Sequence, residues 1–447
     1  MTYKIEQLDF SIPSHEYFQF IKNNDWAIYL NSNNHKYSDQ RFDILTSNPI
    51  DKIILHDKSA SSNKKINEID IFSSLKNRMK KFKCKSNKDI PFCGGAMGFI
   101  SYDYGGKIHN IETKNNQDFD YPLVAFGIYD WCITYDYFKK KSFILYHEKN
   151  KLIDGILKLS KKQLCNNESK SFRCTSRCES NMNYDLYYSK LSKILKYIKS
   201  GDCYQVNLAQ RFSLGFEGDE YEIYKILSKS FGSPYSAFMS YPFGKILSFS
   251  PERFLSINQG IVETKPIKGT RPRSSNPIVD KKNIDDLKMS EKDKAENLMI
   301  VDLLRNDLGI NCKNGSIKVD KLFEIETFAN VHHLVSTISG QVDKNSNIYN
   351  LIKDAFPGGS ITGAPKLRSM EIIEELEPNN RSIYCGSIGY IGFDEKTDLN
   401  ISIRSMLAVD KSLYFWGGGG IVNDSDIRSE YNESIDKVKP LLDAFSD

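Results

Sequence analysis

The sequence is short of most signals that assign a chain to a class at sight. No Cys-x-x-Cys pair occurs among its nine cysteines, which are scattered and odd in number. That excludes a thioredoxin-like redox motif and a regular disulfide framework, and it fits reduced thiols in a cytoplasm. Cys165, Cys174 and Cys178 lie close together in a polar stretch, but no fourth ligand sits nearby, which argues against a structural zinc site. No apolar run approaches the roughly 20 residues that span a bilayer, so a membrane role is not expected. The first ten residues lack a basic segment followed by an apolar one, so no signal peptide is expected. Charge of one sign is also missing. The 61 basic and 57 acidic side chains leave a net charge of +4 over 447 residues, which gives no case for nucleic-acid binding.

What is present is an ordinary globular composition, 40% hydrophobic and 26% charged. Residues 1–150 read as an N-terminal subdomain of strands and turns, with β-like runs at Trp26–Leu30, Lys52–His56 and Ser142–His147. Phe92–Tyr102 is Gly-rich and apolar but lacks both the Lys and the Ser/Thr of a phosphate loop, so close backbone packing is expected there. Residues 151–182, rich in Lys, Asn, Ser and Cys, read as a surface connection. From 183 to 447 the apolar spacing predicts helices at Tyr184–Ser200, stopped by Gly201, at Lys292–Leu304, and at Ser369–Leu376, ended by Pro378. Strand signals recur at Ile246–Ser250, Ser387–Ile391, Asn400–Arg404 and Leu413–Trp416. Strands and helices do not alternate regularly. The expected fold is therefore α+β, with large antiparallel sheets rather than a doubly wound sheet.

Chemistry-bearing residues concentrate after residue 180. Lys268 lies in Pro266-Ile-Lys-Gly-Thr270; an amine there becomes a nucleophile only if burial or a cationic neighbour suppresses its charge. Glu252, in Ser250-Pro-Glu-Arg253, follows an apolar strand and can act as an acid if desolvated. Asp293 and Glu296 share a helix face, as do Glu430, Glu433 and Lys437. Carboxylates from two helices suit Mg²⁺, a hard cation that prefers oxygen. His332 and His333 point to opposite faces if they lie in a strand, so one of them can donate into a pocket. Gly358–Gly363 and Gly417–Gly420 can present backbone amides to an anion, or they can be tight turns. For each of these a solvated surface or plain turn is the competing reading.

In this order the segments resemble the chorismate-utilising enzymes, which include anthranilate, aminodeoxychorismate, isochorismate and salicylate synthases. The match is dense from about 180 to 447: Ser-Pro-Glu-Arg, Pro-Ile-Lys-Gly-Thr-Arg-Pro-Arg, Ala-Glu-Asn-Leu-Met-Ile-Val-Asp, His-His-Leu-Val-Ser, Gly-Ser-Ile-Thr-Gly-Ala-Pro-Lys and Gly-Gly-Gly-Ile-Val. It is weaker before, at Arg41-Phe-Asp43 and Gly94–Gly98. The resemblance implies a β-sandwich core of large antiparallel sheets with flanking helices. It implies Mg²⁺ held by Glu296 and Glu433, with Asp293 and Glu430 close by, and Glu252 as the acid that protonates the departing C4 hydroxyl. It implies a chorismate pocket lined by Gln205, His333, Ser360, Tyr390, Arg404, Gly418, Gly419, Gly420 and Lys437.

Two positions separate the members. Aminodeoxychorismate synthases resemble this chain in carrying Lys at position 268, where anthranilate synthases typically carry Ala; the Lys adds to C2 of chorismate and is then displaced as ammonia adds at C4. Water-adding members carry Lys where Gln205 stands. The resemblance thus implies a first component of aminodeoxychorismate synthase, with anthranilate synthase as the near rival and a non-catalytic binding subunit as the distant one. No Gly-x-Cys-x-Gly elbow is present, so a separate glutamine amidotransferase is implied as the ammonia source. Some members bind tryptophan, and Leu30, Ser32, Tyr37, Arg41, Pro234, Tyr235 and Ser236 occupy the similar region, against the alternative of ordinary loop packing.

Overall fold

The computed structural model describes residues 2–33, 41–57, 70–82, 84–87, 89–113, 118–159, 171–328 and 330–443. Two sheets form the framework, one of 13 strands and one of 10. Every strand pairing among the described residues is antiparallel, as the absence of β-α alternation predicts. Both sheets draw strands from each half of the chain. In the first sheet, Ala27–Asn31 pairs with Tyr235–Tyr241. In the second, Gly95–Ile100 pairs with Ser387–Gly392.

Side-chain alternation along the first sheet sorts residues into two cores. Trp26 and Ile28 join the cluster shared with the second sheet, whereas Ala27 and Tyr29 join the opposite face. That outer face is covered by the helices Ser14–Ile21, Lys151–Leu157 and Glu220–Phe231, whose buried residues belong to the second cluster. Sheet on sheet, with helices outside, accounts for the α+β composition.

The helix Tyr184–Ser200 ends at Gly201, whose φ of 81° is the left-handed cap expected there. The other two expected helices extend further, to Glu291–Gly309 and Lys366–Leu376. The Gly-rich run before residue 100 is a strand. A Cβ on Gly98 would lie 2.0 Å from the Ala125 carbonyl, so close backbone packing is its role. No described helix is long and apolar enough to cross a membrane.

Three expectations need correction. The strand signal at Asn400–Arg404 belongs to Thr397–Asn400; Ile403 N then donates to Ile401 O at 2.8 Å, a tight reversal that ends the ladder. Gly417–Gly420 is no turn but the end of the strand Ser412–Ile421, each glycine paired with a residue of 207–210. Reduced thiols have one exception, because Cys84 and Cys93 are bridged; the nine-residue separation carried no pairing signal. Cys174 and Cys178 are free, and Cys165 lies outside the described residues.

Candidate active site

The site is built where one end of the first sheet, with the strands Ser412–Ile421 and Gln205–Glu217, meets the edge of the second sheet and two helices. Lys268 is on the strand Ile267–Pro272, which pairs with Val331–Gln341 and packs under the helix Glu291–Gly309. Glu252 follows the strand Gly244–Ser250, and Ser360 lies in the short turn Gly359–Ile361. Ser360 joins them: its carbonyl accepts from Lys268 Nζ at 3.1 Å, and its hydroxyl lies close enough to the Glu252 carboxyl to favour the charged form.

Burial shifts both partners toward their uncharged forms, against their mutual attraction. Burial pushes the Glu252 carboxyl up from 4.5, against the Ser360 hydroxyl, the Lys268 charge and the Ile267 amide. Burial pushes the Lys268 amine down from 10.5, helped by Lys437 and opposed by Glu252, Glu296 and Glu433. A buried carboxyl able to give a proton and an amine able to attack carbon therefore share one anchor.

The glycine strand forms one wall. A Cβ on Gly417 would lie 2.0 Å from the Ser434 carbonyl, so the helix Ile427–Asp436 sits directly on the strand. Gly418 O accepts from Lys437 Nζ at 2.8 Å. A Cβ on Gly419 would lie 3.2 Å from Glu430 Oε2 and 3.4 Å from Glu433 Oε1, and one on Gly420 would strike Gln205 Nε2. Bare backbone here leaves room for the two carboxylates and the amide.

Of the four carboxylates expected at the metal, Glu296 and Glu433 face Lys268 closely enough to oppose its loss of charge. Glu433 pairs with Lys437 at 2.7 Å, and Glu296 reaches Lys292 at 4.0 Å. Burial raises Glu296 above 4.5. Burial pushes Glu433 upward, but Lys437, with Lys292 and Lys268, outweighs it and holds that carboxyl low. Glu430 accepts from Ser425 at 2.7 Å and is raised by burial. Asp293 is turned to Arg271 at 3.1 Å, an engagement that sequence spacing could not show. Among the described residues no three His, Cys, Asp or Glu side chains converge as a ready metal cage. Two accessible carboxylates are nevertheless the donor set that suits Mg²⁺, which keeps waters and takes further oxygens from a substrate.

His333 is neutral. Burial drives it down to about 3, with Arg404 adding to the effect; its Nδ1 meets the Thr270 hydroxyl at 2.8 Å and its buried Nε2 has no partner. His332 points the other way, to Asp280 at 3.0 Å, as strand alternation predicts. Arg404, at φ 51°, forms no ion pair with a described residue, and burial lowers it from its usual value. Such a cation is suited to a ligand carboxylate. Gln205 Oε1 is also buried without a partner.

Tyr390 was expected here, and the structure places it elsewhere. It lines a second cavity with Leu30, Ser32, Pro234, Tyr235 and Ser236, and its ring packs on Phe92 at 5.3 Å. Alternation along Ser387–Gly392 turns it into the space between the sheets. Five of the seven residues grouped as a candidate tryptophan pocket thus meet in one cavity. Arg41 is tied to Asp136, and Tyr37 lies outside the described residues. Sequence reasoning passed over Thr270 and Asn297. Thr270 orients His333, and Asn297 is buried beside Glu296 with its Oδ1 on the Ser336 hydroxyl at 2.5 Å. A polar residue two or one places from a candidate was the available signal.

A family model described as chorismate binding enzyme matches residues 27–443. Aminodeoxychorismate synthase component 1 of Escherichia coli (strain K12) is 42% identical over 95% of this chain and 94% of its own length. Anthranilate synthase component 1 of Aquifex aeolicus (strain VF5) is 34% identical over 84% of this chain and 79% of its own. The crystal structure of anthranilate synthase component I from Streptococcus pneumoniae TIGR4 superposes with a TM-score of 0.78 at 28% identity, covering 91% of this chain and 93% of that one. By family model, by relatives and by fold, this chain belongs to the chorismate-binding enzyme family.

Proposed function

We propose that the protein is the first component of an aminodeoxychorismate synthase, converting chorismate and ammonia to 4-amino-4-deoxychorismate. The observation that carries this reading is the Lys268 amine, desolvated and anchored with Glu252 on Ser360. In the first step Nζ bonds to C2 of chorismate as the C4–O bond breaks, and Glu252 gives its proton to the departing hydroxyl, which leaves as water. In the second, ammonia bonds to C4, the C2–Nζ bond breaks, and a proton from the added nitrogen restores the acid or leaves to solvent. Two displacements replace one difficult substitution.

Arg404 and Lys437 pair with the substrate carboxylates. His333 donates through Nε2, and the glycines from Gly418 to Gly420 let the ring approach the backbone. Glu296 and Glu433 would hold Mg²⁺, with Glu430 and Asp293 at its margin; when bound, Mg²⁺ supplies positive charge against a substrate carboxylate. A glutamine amidotransferase subunit supplies the ammonia, in keeping with the relatives' designation as component 1. The second cavity takes tryptophan, as the convergence of Leu30, Ser32, Pro234, Tyr235 and Ser236 supports.

The test is a product assay by mass with chorismate, ammonium and Mg²⁺. A product carrying an amino group in place of the hydroxyl, convertible to 4-aminobenzoate by an added lyase, is expected. Fluorescent anthranilate as the major product would overturn the assignment in favour of the rival.

A further inference from the structure

The acid and the wall of the second cavity meet at two consecutive residues, where the link after Gly244–Ser250 enters the strand Arg253–Asn258. Glu252 is turned toward Lys268 and Ser360, and Arg253 is turned the other way, over the ring of Tyr235 at 5.4 Å. Arg253 Nε donates to Asp398 Oδ1 at 3.2 Å and Nη2 to Oδ2 at 3.3 Å, while Nη1 donates to Glu263 at 2.7 Å. Both Tyr235 and Asp398 line the cavity. The backbone repeats the connection. Arg253 pairs with Asn400, whose side chain donates to Tyr235 O at 3.1 Å, and Ile401 N donates to Glu252 O at 2.9 Å. Ser250, opposite Tyr235 in the sheet, donates to Ile401 O at 2.6 Å and accepts from Glu252 N at 3.2 Å.

We propose that Arg253, forked onto Asp398, is a positioning residue that holds the Glu252 carboxyl in place and ties the wall of the second cavity to the acid. A planar guanidinium held by two carboxylates and a ring has one orientation, and the residue beside it inherits that constraint. Glu252 gives up its proton where a bond breaks, so a small displacement is felt in the turnover number rather than in substrate affinity. The proposal rests on the reading of Glu252 as the acid.

The experiment uses the full chain with chorismate, ammonium and Mg²⁺. Asp398→Asn keeps the shape of the cavity wall and leaves Arg253 its pairing with Glu263. It is expected to lower kcat about tenfold, with KM for chorismate changed by less than about twofold. Asp398→Glu, which keeps the charge, should recover part of kcat. A kcat for Asp398→Asn equal to that of the wild type overturns the proposal, as does a rise in KM that accounts for the whole loss. If Asp398→Asn does not fold, Arg253→Lys carries the test, because it keeps a cation between the two carboxylates but not the fork. The same loss confined to kcat is expected, and an unchanged kcat overturns the proposal. A wild type that makes anthranilate sinks the product assignment only, because the variant-to-wild-type ratio is read on whichever product forms.

Discussion

At the scale of single residues, the proposed mechanism needs Lys268 and Glu252 as a pair with no charge on either member. Burial moves the carboxyl up from 4.5 and the amine down from 10.5. With both protonated the amine cannot attack, and with both deprotonated the acid has nothing to give. The rate kcat/KM should therefore rise through the lower apparent pKa of the pair and fall through the upper. Both limbs should lie inward of the free-group values. Glu252→Gln should lower kcat by about 100- to 10,000-fold, and its residual rate should rise with pH without a descending limb; a surviving descending limb would assign that limb to another group. Lys268→Ala should abolish any adduct of chorismate's mass on the intact protein, and an adduct that persists would name another nucleophile. Both residues became candidates because each stands in a short, distinctive motif. Tyr390 was misplaced because a motif records neighbours in sequence, whereas the face of a strand decides which cavity a side chain enters.

At the scale of elements, the strand Ser412–Ile421 and the helix Ile427–Asp436 make one unit, and the glycines set the distance between them. Gly417→Ala puts a methyl 2.0 Å from the Ser434 carbonyl, a backbone atom with nowhere to go. It should destabilise the protein by about 1–3 kcal/mol, read by urea unfolding, and shift Glu430 and Glu433 with the helix. Gly420→Ala strikes the end of the Gln205 side chain rather than a backbone atom, so it should cost less stability than Gly417→Ala. Equal losses would show that helix contact is not what Gly417 provides. The sequence signalled the strand through Leu413–Trp416 but not its continuation, because four glycines read locally as a turn. The carboxylate helix lying on Gly417 and Gly419 accounts for those two, and the paired strand at Leu208–Ala209 and Gln205 crowds Gly418 and Gly420. The three helices, by contrast, were marked by apolar spacing and by Gly201 and Pro378, signals that need no tertiary partner.

At the scale of the whole molecule, the two halves complete one another's sheets. Residues 183–447 expressed alone would expose the edges of Tyr235–Tyr241 and Ser387–Gly392, whose partners are Ala27–Asn31 and Gly95–Ile100. Such a fragment is expected to aggregate rather than melt cooperatively as a monomer, and residues 1–150 supplied in trans should improve its solubility. A monomeric fragment with a sharp thermal transition would contradict this. The antiparallel architecture was legible from strand runs without alternating helices. The interleaving was not, since composition and periodicity are local and strand order is a long-range outcome. That interleaving also bears on how the chain is made. Gly98 pairs with Gly389, so the strand around Gly98 leaves the ribosome long before its partner exists. At synthesis rates of about 5–20 residues per second, the wait is roughly 15–60 seconds. During it an apolar, glycine-rich strand has one edge unmet, a ready template for mispairing until the second half arrives.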